Sequence, residues 1–259
     1  VSKFKHLLSI CFILTAHSVS AETLWDNWYT ETDDGVPKLY YNEKAEIVGD
    51  KAKIQVNTWI QEGQKIRSEN LGASAKNTPL LEPLLYNFRT QENGAEKVID
   101  GTVLNNGKIF SVKVSKNGQT AKPLRAEMLP KLIISSFFPF WIHNNYKKIS
   151  GVQPTEFMAI VEDAVQDEIP VLKGTAYEMN ADEISKKTKT RKLRITFGNV
   201  VNYWYVSPKG DAVEITVPSM KKVVVKTDRD IAEKFLSLPE PKFEKTTTPA
   251  PDSKNEKSQ

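Results

Sequence analysis

From Lys51 to Gln61 the chain alternates. Ala52, Ile54, Val56, Thr58 and Ile60 fall on one face of an extended strand, and Lys51, Lys53, Gln55, Asn57 and Gln61 fall on the other, with Trp59 the single exception. A period of two suits a half-buried strand and does not suit a helix. The pattern recurs in Phe110, Val112 and Val114, in Leu193, Ile195 and Phe197 around Arg194, and in Val213, Ile215 and Val217 around Glu214 and Thr216. A chain written this way has to build an antiparallel sheet that buries one face and leaves the other wet. Turn chemistry agrees. Asn93-Gly94, Asn106-Gly107 and Asn117-Gly118 accept the positive φ of tight hairpins, and Ser207-Pro208-Lys209-Gly210 supplies another turn.

These signals predict about ten strands, near 25–30, 38–48, 51–61, 64–73, 84–92, 96–105, 108–115, 156–165, 169–178, 190–206 and 211–226, the last two each long enough for one strand or two. Helices are few. Thr227 with Asp230 has the form of a capping box opening a short C-terminal helix through about Leu236, and Asn180 with Glu183 marks a single turn. In mid-chain, Met128, Leu129, Leu132, Ile133, Ile134, Phe137 and Phe138 form a wide apolar stripe, which predicts a helix from about Pro130 that ends before Pro139. The expected fold is mainly β (α+β): a curved antiparallel sheet or half-barrel of about ten strands packed on that one apolar helix.

The two ends differ from this body. Lys3 and Lys5, the apolar run Leu7 to Thr15 and the small residues Val19-Ser20-Ala21 have the form of a secretory signal over 1–21. That run falls short of the roughly 20 residues needed to cross a bilayer, so no transmembrane span is expected in the mature chain. Ile10 stands before Cys11 where a lipidation motif needs a small residue. Cys11 is the one cysteine, so the mature chain is expected to form no disulfide and no thiolate site. The signal takes Lys3 and Lys5 from 36 basic residues and nothing from 32 acids, and the remaining net charge of +2 gives no electrostatic case for nucleic acid. Residues 239–259 are Lys, Glu, Thr, Ser and Pro around Phe243, too polar to offset their ordering entropy, and read as a disordered tail. One β-rich domain is expected over 22–238.

Chemistry is argued mostly by exclusion. His143 is the one histidine beyond the signal, and with no further Cys a His or Cys metal cluster is ruled out by inventory. Asp33-Asp34, Glu162-Asp163 and Asp167-Glu168 lack the spacing of a calcium loop and read as surface acids. There is no Gly-x-Ser-x-Gly elbow and no phosphate-cradling glycine loop. No catalytic residue, metal or cofactor is assigned, and enzymatic activity is not expected. A glycan-active enzyme built on a carboxylate pair leaves no local spacing rule and stays as the lesser alternative. His143 reads as a helix-end histidine bonded to a carbonyl.

Three features are candidates for binding. Leu132, Ile133, Phe137, Phe138, Phe140 and Trp141 form an apolar segment that either caps a cavity for a lipid or other apolar ligand or fills the concave side as core. Lys186, Lys187, Lys189, Arg191, Lys192 and Arg194 make either an anionic-surface contact, such as lipid headgroups, or a solvated loop entering a strand. Trp25, Trp28, Tyr29, Tyr40, Tyr41, Trp59, Tyr203, Trp204 and Tyr205 either line a groove or follow the preference of aromatics for strands. Rings on both faces at Tyr203-Trp204-Tyr205 require at least one face there to be covered.

Tyr203-Trp204-Tyr205-Val206-Ser207-Pro208-Lys209-Gly210, a strand to Val217, a strand Val223 to Val225 and Thr227-Asp228-Arg229-Asp230 opening a helix resemble the end of exported bacterial β-domains of unknown function. With its export signal, meandering sheet and mid-chain apolar helix, the chain is similar to the half-barrels of the lipoprotein carrier and receptor proteins LolA and LolB. That resemblance implies a concave apolar surface able to hold acyl chains and transfers no ligand-contacting residue. The resulting expectation is an exported, non-enzymatic protein of the bacterial envelope, periplasmic or secreted, binding a lipid or other apolar ligand between the sheet and residues 132–141. The alternative is an envelope interaction or structural module whose partner is another protein, reached through the basic stretch or the tail.

Overall fold

Every long alternating stretch forms a strand. The computed structural model describes residues 21–92, 94–161 and 168–236. The expected signal up to residue 20, the expected tail over 239–259, Asn93, Glu162, Asp163 and Asp167 therefore lie outside the described residues. Seven strands come first: β1 (Ala21–Asp33), β2 (Val36–Val48), β3 (Lys51–Glu62), β4 (Lys65–Lys76), β5 (Pro83–Glu92), β6 (Ala95–Leu104) and β7 (Ile109–Lys116). Three short ones, β8 (Gln119–Thr120), β9 (Leu124–Glu127) and β10 (Leu132–Ile134), lead to helix α1 (Phe138–Asn145). Then come β11 (Thr155–Ile160), β12 (Val171–Glu178), helix α2 (Glu183–Thr188), β13 (Arg191–Phe197), β14 (Val200–Val206), β15 (Ala212–Val217), β16 (Lys222–Thr227) and the single turn α3 (Arg229–Ala232).

All sixteen strands join one sheet in the order β10-β11-β12-β13-β14-β15-β16-β1-β2-β3-β4-β5-β6-β7-β8, with β9 also on the edge of β7. Neighbours are antiparallel, as short turns require, except β10 and β11, which run parallel from Leu132↔Met158 to Ile134↔Ile160. The hairpin asparagines and glycines do what their sequence asks: Asn106, Gly107, Asn117 and Gly118 have φ of 53°, 91°, 48° and 77°. The strand count exceeds the expected ten for two reasons. Residues 190–206 and 211–226 each hold two strands, and β8, β9 and β10 are too short to show a period.

β9 and β10 stand at opposite ends of the sheet, yet only residues 128–131 join them. Five Cα steps reach at most about 18 Å, so the two ends must come together and the sheet curls around its concave face. That face holds the main core, with Trp25, Ile54, Tyr86, Phe88, Ile99, Phe110, Phe157, Leu193 and Ile195 all buried against α1 and β10. Two strand glycines make room for rings. A Cβ on Gly101 would lie 2.2 Å from Cε1 of Tyr86, and one on Gly174 would lie 2.2 Å from Cζ of Phe157.

Trp59 breaks the polar face of β3 because that face is covered there. Trp28, Tyr40 and Trp59 stack on the outside of the sheet, with centroids 5.9 Å apart for Trp28–Trp59 and 4.8 Å for Tyr40–Trp59. Ala232 and Leu236 close over them, and the Arg229 guanidinium sits 5.4 Å above the Trp28 ring.

The helices correct three expectations. No helix runs from Pro130 to Phe138. Leu132–Ile134 is the buried strand β10, Ser135–Phe137 makes one 3-10 turn, and α1 starts at Phe138 with Pro139 in its first turn. Proline is favoured in a first helical turn because its missing N–H would have no helical acceptor there. A short apolar run containing Ile133 and Ile134 suits an inner strand as well as a helix. At α3, the expected capping box is absent, since Asp228 holds the cap position without a side-chain bond and the helix ends at Ala232.

At α2 the cap is Asp182, not Asn180: its Oδ1 accepts from the Ser185 N–H at 3.0 Å. Its other oxygen accepts from Lys192 and the Tyr205 hydroxyl, each at 2.8 Å. The Lys192 and Ser185 bonds hold the Asp182 carboxyl well below the usual carboxylate range. Asp182→Ala is expected to lower the unfolding free energy by about 1 kcal/mol in urea titrations, while Asp182→Asn keeps the cap and loses less.

Candidate functional site

The apolar segment singled out in the sequence sits at the centre of the molecule. Leu132, Ile133, Phe137, Phe138, Phe140 and Trp141 are all buried. β10 holds the first two by pairing with β11, and the first turn of α1 turns the rings onto both halves of the sheet. Phe138 meets Phe157 at 4.8 Å, Phe197 at 4.9 Å, Trp204 at 5.1 Å and Trp141 at 5.5 Å between ring centroids, and Phe140 meets Trp25 at 5.3 Å. These side chains are themselves the filling of the concave face. Any ligand that uses this segment must reach it from its margin.

The margin is open beside β10. Where the link 128–131 crosses between the two ends of the sheet, a cleft of about 760 Å³ remains, within the size range of small-molecule sites. Its walls come from three stretches that the curl brings together: Leu80, Pro83 and Leu84 before and within β5, Val103 at the end of β6, and Met128 to Leu132. Leu132 is thus the member of the predicted set that reaches the cleft. Leu80 and Leu129 are 49% and 41% exposed, so the walls carry apolar surface that the fold leaves in water. The loop before β5 is fixed to α1 by Asn144, whose Nδ2 donates to the Thr78 carbonyl at 3.2 Å.

The basic stretch is divided. Arg191 is bound inward: it forms a two-pronged pair with Glu178 at 2.7 and 2.6 Å, donates to the Tyr146 and Ile149 carbonyls, and lies 4.5 Å over the Tyr146 ring. The Glu178 bond raises its already high pKa. Lys192 is tied to Asp182 and sits 4.8 Å from the Tyr203 ring centroid. Lys186, Lys187, Lys189 and Arg194 are exposed. Covering of the Tyr203-Trp204-Tyr205 strand is as the alternation required, with Trp204 against Phe138 and the Tyr205 hydroxyl bonded to Asp182.

The nine aromatics do not form one groove. Trp25, Tyr29 and Trp204 face the interior, whereas Trp28, Tyr40 and Trp59 stack outside under α3. His143 donates from Nδ1 to the Lys209 carbonyl, the helix-end arrangement expected for it, and the 207–210 turn presses on α1 so closely that a Cβ on Gly210 would lie 2.5 Å from the His143 Cα.

Sequence reasoning missed a buried polar group. Glu43, Asn27, Tyr29 and Asp211 are each under a tenth exposed. Glu43 Oε1 accepts from the Trp25 indole N–H at 2.8 Å, and burial pushes its carboxyl up to about 7. Asp211 accepts from Asn27 at 3.1 Å, from Lys226 at 2.7 Å and from the Ser207 hydroxyl, and despite burial the Lys226 and Ser207 bonds hold it below its ordinary value. Alternation placed Glu43 inward beside Ala45, and that was the available signal. Among the described residues, no group of three His, Cys, Asp or Glu side chains is placed to hold a metal, and no helix is long and apolar enough to cross a membrane.

No protein-family model matches the chain, and no curated protein matches it. Among solved structures it is similar to the crystal structure of a β-barrel-like protein of the domain of unknown function DUF1849 from Brucella abortus. Identity is 11%, the TM-score is 0.46, and the match covers 78% of this chain and 94% of that one. The comparisons do not confirm the expected resemblance to LolA and LolB; what the structure establishes is a mainly β fold with one large curved sheet.

Proposed function

We propose that this chain is a non-enzymatic binding protein of the bacterial envelope, exported by its N-terminal segment, that holds one apolar chain in the cleft between the two ends of its sheet. The observation that carries the reading is the contrast between a filled interior and an open, apolar margin. α1 and β10 occupy the concave face, while Leu80, Leu84, Val103, Met128, Leu129 and Leu132 line about 760 Å³ beside it. Burying apolar surface already exposed on Leu80 and Leu129 supplies the driving force, at roughly 25 cal/mol per Å². A mostly apolar cleft with a few polar groups among its lining residues suits an acyl or alkyl chain.

Native mass spectrometry on protein purified without detergent, followed by solvent extraction, tests this reading. Either a co-purifying lipid or uptake of added dodecanol at one equivalent is expected. Leu80→Asp and Leu129→Asp change exposed side chains, leave the fold intact, and each weaken uptake about tenfold or more. A clean apo mass with no uptake by the folded wild type overturns the reading. The same exposed leucines then favour the second reading, an interaction module whose apolar patch meets another envelope protein.

A further inference from the structure

Three clefts meet at one side chain. Lys131 lines the seam cleft, a neighbouring cleft of about 440 Å³ beside Trp141 and Lys148, and a third of about 490 Å³ beside Phe157 and Lys173. Its backbone has a φ of 61°, a left-handed conformation that lysine rarely adopts. On the facing loop Leu81 has a φ of 49°, and its side chain is fully buried. The fold therefore holds two strained residues across the seam, and it presents an exposed cation from one of them at the junction.

The charges around that junction are unequal. Four lysines and two glutamates line the three clefts. Lys76 is paired with Glu82 at 2.6 Å, which leaves Lys131, Lys148 and Lys173 facing Glu156. An apolar slot that opens beneath an excess of positive charge matches a molecule with an apolar chain and an anionic end. We infer that the ligand is a single-chain anionic amphiphile, its chain in the seam cleft and its carboxylate or phosphate head at the Lys131 ammonium. This inference rests on the apolar-cleft reading above and adds the chemistry of the head. The contact is a charge-assisted hydrogen bond at a partly exposed site, so it is salt-sensitive and adds selectivity more than bulk affinity.

The test compares dodecanol, dodecanoate and dodecyl phosphate by calorimetric titration into the full chain at low ionic strength. Wild type is expected to bind the better of the two anions about tenfold more tightly than dodecanol, with the difference shrinking as salt is added. The ranking of the two anions tells a carboxylate head from a phosphate head. In Lys131→Gln the affinities for anion and alcohol converge, while Lys131→Arg keeps the preference. If dodecanol binds as tightly as both anions to wild type, the inference about the head is overturned and the apolar cleft stands. If the preference survives in Lys131→Gln, the anion is held elsewhere and the assignment to Lys131 falls. If none of the three binds, the cleft reading itself has failed.

Discussion

Replacing Phe138 with Ala lowers the unfolding free energy by about 3–5 kcal/mol, the range for removing a large buried ring that its surroundings cannot replace. Phe138 is 2% exposed and lies at the first position of α1. Its ring touches Trp141 on its own helix, Phe157 on β11, Phe197 on β13 and Trp204 on β14, all within 5.5 Å between centroids. Those strands belong to one run of the sheet, while Phe140, two residues on, packs against Trp25 of β1. The first turn of α1 therefore links parts of the sheet that do not pair with each other. Relaxation into the space left by Phe138 is limited because Phe157 already fits over Gly174 with no room for a Cβ. Urea or guanidinium unfolding of the wild type and variant checks this. The midpoint is expected to fall with little change in slope, and Phe138→Leu, which restores much of the volume, loses clearly less. A loss under about 1 kcal/mol would show that the plug packs loosely and that the interior has room of its own for a ligand.

The strands were legible because their chemistry is local. In β3, five alternate residues state which side is wet, and Asn-Gly pairs state where the chain turns. Trp59 is the exception in that pattern because the chain around α3, some 170 residues later, covers it. Leu132-Ile133-Ile134 forms a strand and not the expected helix for a related reason: three consecutive apolar residues carry no period, and the β11 edge beside them decides between strand and helix. The seam cleft was less legible still. Leu80, Val103 and Leu129 are ordinary apolar residues in three separate stretches, and what makes them a site is that the sheet returns to its own start and stops short of closing. Its one sequence signal is the proline-flanked apolar run Pro79-Leu80-Leu81-Glu82-Pro83-Leu84, which promises an irregular segment and says nothing of what it faces. The basic stretch shows what charge alone does not say. Six charges follow one another in the sequence, but Arg191 and Lys192 are engaged by Glu178, Asp182 and two carbonyls, while Lys186, Lys187, Lys189 and Arg194 are exposed.

Glu43 is expected to make the stability of this protein fall as pH rises from about 4.5 to 7, and Glu43→Gln to remove that fall. Unfolded, its carboxyl titrates near 4.5; folded, burial pushes it up to about 7 against the opposing bond from Trp25, with Asp211 adding a smaller push in the same direction. A raised carboxyl means that the folded state holds a proton which the unfolded state has released throughout that window. The stability associated with the protonated form is complete below about 4.5 and is lost as pH climbs through about 7. The difference of roughly 2.5 pH units corresponds to about 3 kcal/mol. Asp211 has the opposite sign: the bonds from Lys226 and Ser207 hold it below its ordinary value, so its contribution is lost only in more acidic solution and does not mask Glu43 in this window. Glutamine keeps an oxygen able to accept from the Trp25 indole, as Glu43 does at 2.8 Å, and carries no charge to desolvate. Urea unfolding at pH 4.5, 6 and 8 is therefore expected to show the variant close to wild type at the lowest pH and more stable by about 3 kcal/mol at the highest. A difference between the two proteins that stays constant across the three pH values would mean that Glu43 ionises in the folded protein as it does in the unfolded one, and would overturn the burial argument.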